Sequence, residues 1–484
     1  MKEQHDWITR GDLSLFYKLH QEDKGNWYTN KFHLTSYAGA LYDPNGLIYY
    51  KGWYYIFFQN CPFSDERLIP SWGLYMTTDF IHYDYQGLTI TPSCQYDKDG
   101  AYSGHAFIEA GQLYFYYSGL VQLQEELETT FVMKAQLNLK KQTTRKTMLF
   151  GQDLSVYSGY FHDPMIFEKN GGHYMLNGAQ SKHKKGLISL YGAEDRKLMV
   201  WHSVHPLEWP NLSHLEPLRV EAPGYIKDNG NDNEYLYFST VAKTKGLEGR
   251  KTWYQKGKFN KIMEFESHGP LKLFDKGLDF YAPQFFQNCP NQNITLGWLG
   301  NPASKISKTL PNNWLSQLSL PREVTWVNGV MYQQPANQLK KLRVKTLSWG
   351  KKITYPNGLI EIKVDQIEKD DFFLKIHNSK HEALQVTYQK GLLEINRTDM
   401  TLKDAFNLPP LQKIAIDKIN NLRLLVDRSC LEIFINDGEH SVSVLFYVLN
   451  HTTIETDLTG GEAYQLKGFS LQEENTLFLN SLNH

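Results

Sequence analysis

The sequence predicts an all-β protein: a five-bladed β-propeller followed by a C-terminal antiparallel β-sandwich. Three observations lead there. Aromatic residues make up 14% of the 484 residues, an excess that favours strands. Five segments of one hairpin design open at Asp43, Ser103, Asp163, Glu221 and Tyr281, in steps of 60, 60, 58 and 60 residues. After residue 325 that beat stops and shorter alternating strands replace it.

The length points to two domains rather than one core. The formal net charge of −1 gives no reason to expect nucleic acid or an anionic membrane as a partner. MKEQHDWITRGD, the first stretch, is polar and has no apolar core of a secretory signal. No run of about 18 apolar residues offers a membrane span. Cys61, Cys94, Cys289 and Cys430 are far apart and form no CxxC pair, so neither a zinc site nor a disulfide framework is expected. A reducing cytoplasm fits them.

Each repeated segment is read as a small or acidic opening that leads into a short apolar strand. A turn follows, then a second strand rich in aromatic or aliphatic residues, as in DPNGLIYYKGWYYIFFQ from Asp43 and DPMIFEKNGGHYMLNGA from Asp163. Repeats of this length made of short strands read as propeller blades. A β-sandwich with accidental spacing is the alternative. In a propeller the first strand of each blade is innermost, so the five openings converge at one mouth of the channel. Asp43, Asp163 and Glu221 are then expected at three equivalent ring positions. Three carboxylates brought together are costly to keep charged, which points to function; acids capping strands into solvent are the structural alternative. No loop carries the dense D-x-D-x-D spacing of a calcium site, so no metal is expected.

QPANQLKKLRVKTL reads as a short linker at 334–347, and the strands beyond it, including the Asp-Gly hairpin in INDGEHSV, read as the sandwich. The domains are therefore expected at 1–333 (propeller, catalytic), 334–347 (linker) and 348–484 (sandwich).

At this point the motifs carry a likeness. FHLTSYAGALYDPNG, IFFQNCP, SWGLYMTTDFIHY, YDKDGAYSGHAF, FHDPMIF, VEAPGYI, LDFYAPQFF, GWLGNP, LSLPREV and CLEIFINDGE occur in this order along nearly the whole chain. Together they resemble glycoside hydrolase family 32, the invertases, fructanases and sucrose-6-phosphate hydrolases. The polar N-terminal stretch and cytoplasmic character are similar to the bacterial sucrose-6-phosphate hydrolase branch. The resemblance implies a retaining β-fructofuranosidase acting on sucrose, sucrose 6-phosphate or a related fructoside. It needs no cofactor, and its partner is a small-molecule sugar. By the same resemblance Asp43 is the nucleophile, Glu221 the acid/base and Asp163 the transition-state stabiliser. Tyr42, Gln59, Trp72, Tyr102, Ser103, His162 and Trp298 match or border positions that line the fructose pocket.

A retaining mechanism wants two carboxyl groups about 5–5.5 Å apart, one to attack the anomeric carbon and one to protonate the leaving oxygen. The acid must hold its proton in the resting enzyme, and two neighbouring negative charges push in that direction.

Departures from the family pattern cluster at the site. Tyr42 replaces an Asn, His162 an Arg, Ala222 a Cys, His105 a Ser and Leu74 a His. None removes a carboxylate. The Arg-to-His change exchanges a rigid, permanently charged fork for a titratable ring. Two other readings follow: a catalytically impaired sugar-binding propeller, and a fructosyltransferase using the same site. The basic run Lys182–Lys185 could reach an anionic substrate or could be a solvated loop.

Overall fold

The computed structural model describes residues 10–63, 69–124, 127–141, 143–228, 233–242, 250–300, 314–402 and 409–472. The protein is all-β. Its first half forms five antiparallel sheets in chain order, each with a four-stranded meander at its heart. Their opening strands are Gly39–Tyr50, Gly100–Glu109, Tyr157–Lys169, Arg219–Lys227 and Phe280–Phe285. Every predicted opening falls on one of them. Each opening strand lies against the next, and the fifth lies against the first, so the five close a ring. The seam is stitched by a parallel pairing of Gly39–Ala40 with Trp314–Leu315 and by bridges Thr35–Gln317 and Ile48–Gln287.

Every opening strand carries a bulge, the device that re-aims side chains beside active sites. In the first sheet Leu41 pairs with Asn60 and Pro44 with Phe58, so Tyr42 and Asp43 together face one residue, Gln59. Tyr102 and Ser103 form the bulge of the second sheet, Asp163 and Pro164 of the third, Ala222 and Pro223 of the fourth, Ala282 and Pro283 of the fifth. The expected equivalence of the three acids therefore needs correction. Asp43 is the second bulged residue, Asp163 the first, and Glu221 the paired residue just before the bulge. Asp163, Ala222 and Ala282 all have φ near +50°, at 61°, 46° and 45°, a strained region for non-glycine residues that clusters at functional sites.

The second half is two six-stranded antiparallel sheets sharing one apolar core, with Ile362, Val426 and Ile433 from one sheet meeting Leu374, Val386 and Ile454 from the other. The stretch 334–347 is shorter as a linker than expected. Asn337–Leu342 is a 3-10 turn, but Arg343–Leu347 is a strand of the first of these sheets, paired with Glu462–Leu466. Two further elements were not anticipated. A helix, Arg10–Asp23, lays Phe16 and His20 on the ring of Tyr37. The strand Ser470–Gln472 leaves the second half and pairs in parallel with His82–Asp84 of the first sheet.

The halves meet through buried charge. The Asp427 carboxylate accepts the backbone N–H groups of Lys31, Phe32 and His33, each at 2.8 Å. His33 bridges Asp427 and Glu432 at 2.9 and 3.0 Å. Arg322 donates to Glu432, Asp275 and Ser443 at 2.8, 2.9 and 2.7 Å. Every one of these side chains is buried, so each charge depends on its partners.

Candidate active site

The bulges bring Asp43, Asp163 and Glu221, from the first, third and fourth sheets, close enough to feel one another's charge. Neighbouring sheets clasp each of them. Ser103 of the second sheet donates to Asp43 Oδ2 at 3.0 Å. Asp163 Oδ2 accepts the Ala222 N–H at 2.7 Å, and the Asp163 N–H is taken by Ser118 Oγ at 3.0 Å. Glu221 is held by two phenols, Tyr160 on Oε1 and Tyr281 on Oε2, both at 2.6 Å.

Burial pushes the Asp43 carboxyl well above the usual range. The charges of Asp163 and Glu221 add to the rise, and the Ser103 bond opposes it. Burial also raises Asp163, against the pull of His162 and the Ala222 N–H and with the push of Glu221. The Tyr160 and Tyr281 hydroxyls, buried and facing Glu221, are held well above the ordinary phenol range. The phenols are therefore kept as neutral O–H groups.

The substrate-binding expectations divide. Tyr42, Gln59 and Tyr102 are half-buried beside the acids, and Ser103 touches Asp43. His162 stacks on Tyr160 with ring centroids 4.2 Å apart and leans on Tyr102 at 5.3 Å. Trp72 and Trp298 do not wall an open pocket. Trp72 is fully buried among Phe57, Phe115 and Tyr117, its indole N–H bonded to the Tyr102 carbonyl at 2.9 Å. Trp298 is 3% exposed, donates to Ser316 at 2.8 Å, and supports the Tyr42 ring from 5.3 Å. An aromatic in a β core and one in a cleft look alike in sequence; here both tryptophans position the residue that faces the site.

Of the departures, Leu74 is buried in the apolar core between the first two sheets. His105 is buried, and burial pushes its imidazole down to about 3, so it is neutral at physiological pH. Sequence reasoning missed three contributors. Tyr160 stands immediately before the FHDPMIF motif and Tyr281 opens the fifth segment, yet nothing in their local sequence points to Glu221. Glu128, in the second sheet, has Oε1 3.7 Å from His162 Nε2. His162 holds the Glu128 carboxyl below its usual range, helped by Arg219 and opposed by burial. Nothing in the local sequence marks it.

Carboxylates gathered from three sheets and held by hydrogen bonds from neighbouring sheets suit acid–base or nucleophilic chemistry, and comparison with known proteins makes this specific. Residues 33–335 match the family model of the glycosyl hydrolases family 32 N-terminal domain, and residues 333–473 that of the glycosyl hydrolases family 32 C terminal. The protein is a glycoside hydrolase of the β-fructofuranosidase type. The chain belongs to glycosyl hydrolase family 32. It is 27% identical to the sucrose-6-phosphate hydrolase of Vibrio alginolyticus, over 96% of this chain and 95% of that protein. It is 28% identical to that of Staphylococcus xylosus, over 94% of each. The structure of sucrose-6-phosphate hydrolase from Lactobacillus gasseri superposes with a TM-score of 0.86 at 25% identity, covering 96% of this chain and 99% of that one. The fold is also shared with the Bombyx mori β-fructofuranosidase, at a TM-score of 0.81 and 20% identity, covering 96% of this chain and 100% of that one.

Proposed function

We propose that this protein hydrolyses β-fructofuranosides with retention of configuration, sucrose 6-phosphate and sucrose being the first candidates. The observation that carries the reading is the clasped acid trio: three carboxylates from three sheets, each fixed by hydrogen bonds from a neighbouring sheet. In this reading an oxygen of Asp43 attacks the anomeric carbon of fructose. The bond from that carbon to the leaving oxygen breaks, and Glu221 gives that oxygen its proton. Glu221 then takes a proton from water, whose oxygen displaces Asp43 and frees fructose. A phenol oxygen can accept as well as donate, so the Tyr160 and Tyr281 contacts survive as the Glu221 proton leaves and returns. Asp163, locked by the Ala222 N–H, binds ring hydroxyls as positive charge develops. Tyr42, Gln59, Tyr102, Ser103 and His162 surround the sugar.

We also read the five-sheet ring as a five-bladed propeller and the two six-stranded sheets as a β-sandwich, with the boundary in 334–347. Free thiols at all four cysteines support placement in a reducing compartment such as the cytoplasm. Asp43→Ala and Glu221→Ala test the assignment: each abolishes fructose release from a substrate the wild type cleaves, in a screen of sucrose, sucrose 6-phosphate, inulin-type and levan-type oligosaccharides. Unchanged release by either variant removes it from the mechanism.

A further inference from the structure

The rim of the site on the Glu221 side is basic, although the chain as a whole carries a net charge of −1. Arg219 lies two residues before Glu221 on the same strand. It is exposed, and its guanidinium carbon stands 4.5 Å from the ring centroid of Tyr160, the phenol that holds Glu221. Across the fourth sheet Arg219 pairs with Val241 and Val241 with Arg250, which puts the two arginines in one row. Their Cα atoms are about 10 Å apart, two strand spacings, and residues so paired share a face. The charge of Arg250 is felt at the Tyr281 hydroxyl, the other phenol on Glu221.

The turn Lys182–Lys185 joins this rim from the third sheet. It is exposed, and Gly186 at its end donates to the Pro217 carbonyl at 2.7 Å and packs on the Arg219 backbone. Among the described residues the acids near this rim are Glu128 beside His162, Glu208 at 3.9 Å from Lys185, and Asp153 within reach of Lys182.

Glu221, read above as the acid/base, marks where the leaving oxygen sits. The rim beside it is where the leaving sugar lies. We propose that Arg219, assisted by Arg250, binds a phosphate group on the leaving sugar and so selects phosphorylated fructosides. This rests on the catalytic reading of Glu221. Two guanidiniums in one row suit a phosphate, because each offers a planar pair of donors that matches two phosphate oxygens. The Lys182–Lys185 turn adds a longer-range attraction that salt screens.

The test is the ratio of kcat/KM for sucrose 6-phosphate to that for sucrose, in the wild type, Arg219→Gln, Arg250→Gln and the double variant. The ratio is expected to exceed one in the wild type. It should fall at least tenfold in Arg219→Gln and further in the double variant, mainly through KM, with Arg219→Lys keeping part of it. No wild-type preference, or an unchanged ratio in the double variant, overturns the proposal. Calorimetric binding of glucose 6-phosphate, glucose and fructose 6-phosphate needs no turnover and separates the two readings. Glucose 6-phosphate bound more tightly than the other two, through the arginines, by a protein that cleaves no fructoside would sink the hydrolase reading and leave the phosphate site. Cleavage of fructosides by a protein that binds glucose 6-phosphate no better than glucose sinks the phosphate site alone. Tighter binding of fructose 6-phosphate moves the phosphate to the other sugar and also overturns it.

Discussion

Replacing Tyr281 with phenylalanine removes one hydroxyl and keeps the ring. The hydroxyl lies 2.6 Å from Glu221 Oε2, and Tyr160 makes the matching contact on Oε1. Hydrogen bonds to a charged group contribute about 1.5–3 kcal/mol, and each ~1.4 kcal/mol off transition-state stabilisation is tenfold in rate. Losing one phenol should therefore lower kcat roughly ten- to a hundredfold, provided that both hold Glu221 in line with the leaving oxygen. The two phenols grip different oxygens of one carboxyl group, so their effects should be coupled. After the first loss the carboxyl is already free to turn, and the second costs less. The assay is steady-state kinetics over a range of pH for Tyr281→Phe, Tyr160→Phe and the double variant. Positioning predicts a fall in kcat with KM little changed, a displaced pH profile, and a double variant less impaired than the product of the singles. Single variants within twofold of wild type across the pH range would refute the claim that the phenols position the acid.

Asp43→Asn should remove fructose release and yet stabilise the fold at neutral pH. The folded Asp43 carboxyl is raised by burial and by Asp163 and Glu221. The stability it contributes is therefore present below about pH 4, its unfolded value, and is lost as pH rises through its folded value. Asparagine keeps an oxygen for Ser103 and suffers no such loss. Its melting temperature should match wild type near pH 4 and pull ahead as pH rises, by about 0.5–2 kcal/mol of stability, the scale of relieved active-site cost; a variant less stable than wild type at pH 8 contradicts this. Arg322→Met leaves Asp275 buried without its cation and Glu432 with His33 as its remaining charged partner, and should cost about 3–5 kcal/mol. Urea unfolding followed by tryptophan fluorescence reads it, and an unchanged midpoint would mean that the clasp between the two halves is not held by charge.

The repeat beat was legible because each of the five sheets carries its strongest local signal, a turn between two apolar runs, at its opening hairpin. What the beat could not carry is the bulge. A two-for-one mismatch changes which neighbour a side chain faces without changing composition, so Asp43, Asp163 and Glu221 looked equivalent and are not. The phenols on Glu221 were invisible for another reason. They lie 61 and 60 residues from it and reach it only across sheet boundaries. Trp72 and Trp298 show the converse, aromatics expected at the sugar pocket whose side chains turn into the core. Arg343–Leu347 read as linker because its exposed polar residues hide an edge strand. The motif order nonetheless led to the family, and the bulged openings hold all three acids.

The first sheet is made of strands from three distant parts of the chain: residues 39–90, Trp314–Leu315 and Ser470–Gln472. A ribosome delivers them in that order, at about 5–20 residues per second. The stretch of outer strand that Ser470–Gln472 covers, His82–Asp84, therefore waits roughly 20–80 seconds for this neighbour after it has itself been made. Until then it offers unpaired backbone groups to any other chain, the kind of edge that seeds aggregation. A product that terminates before Ser470 never covers that edge. Premature termination near the C-terminus, far along the chain from every acid of the site, is thus a lesion of solubility before it is one of catalysis.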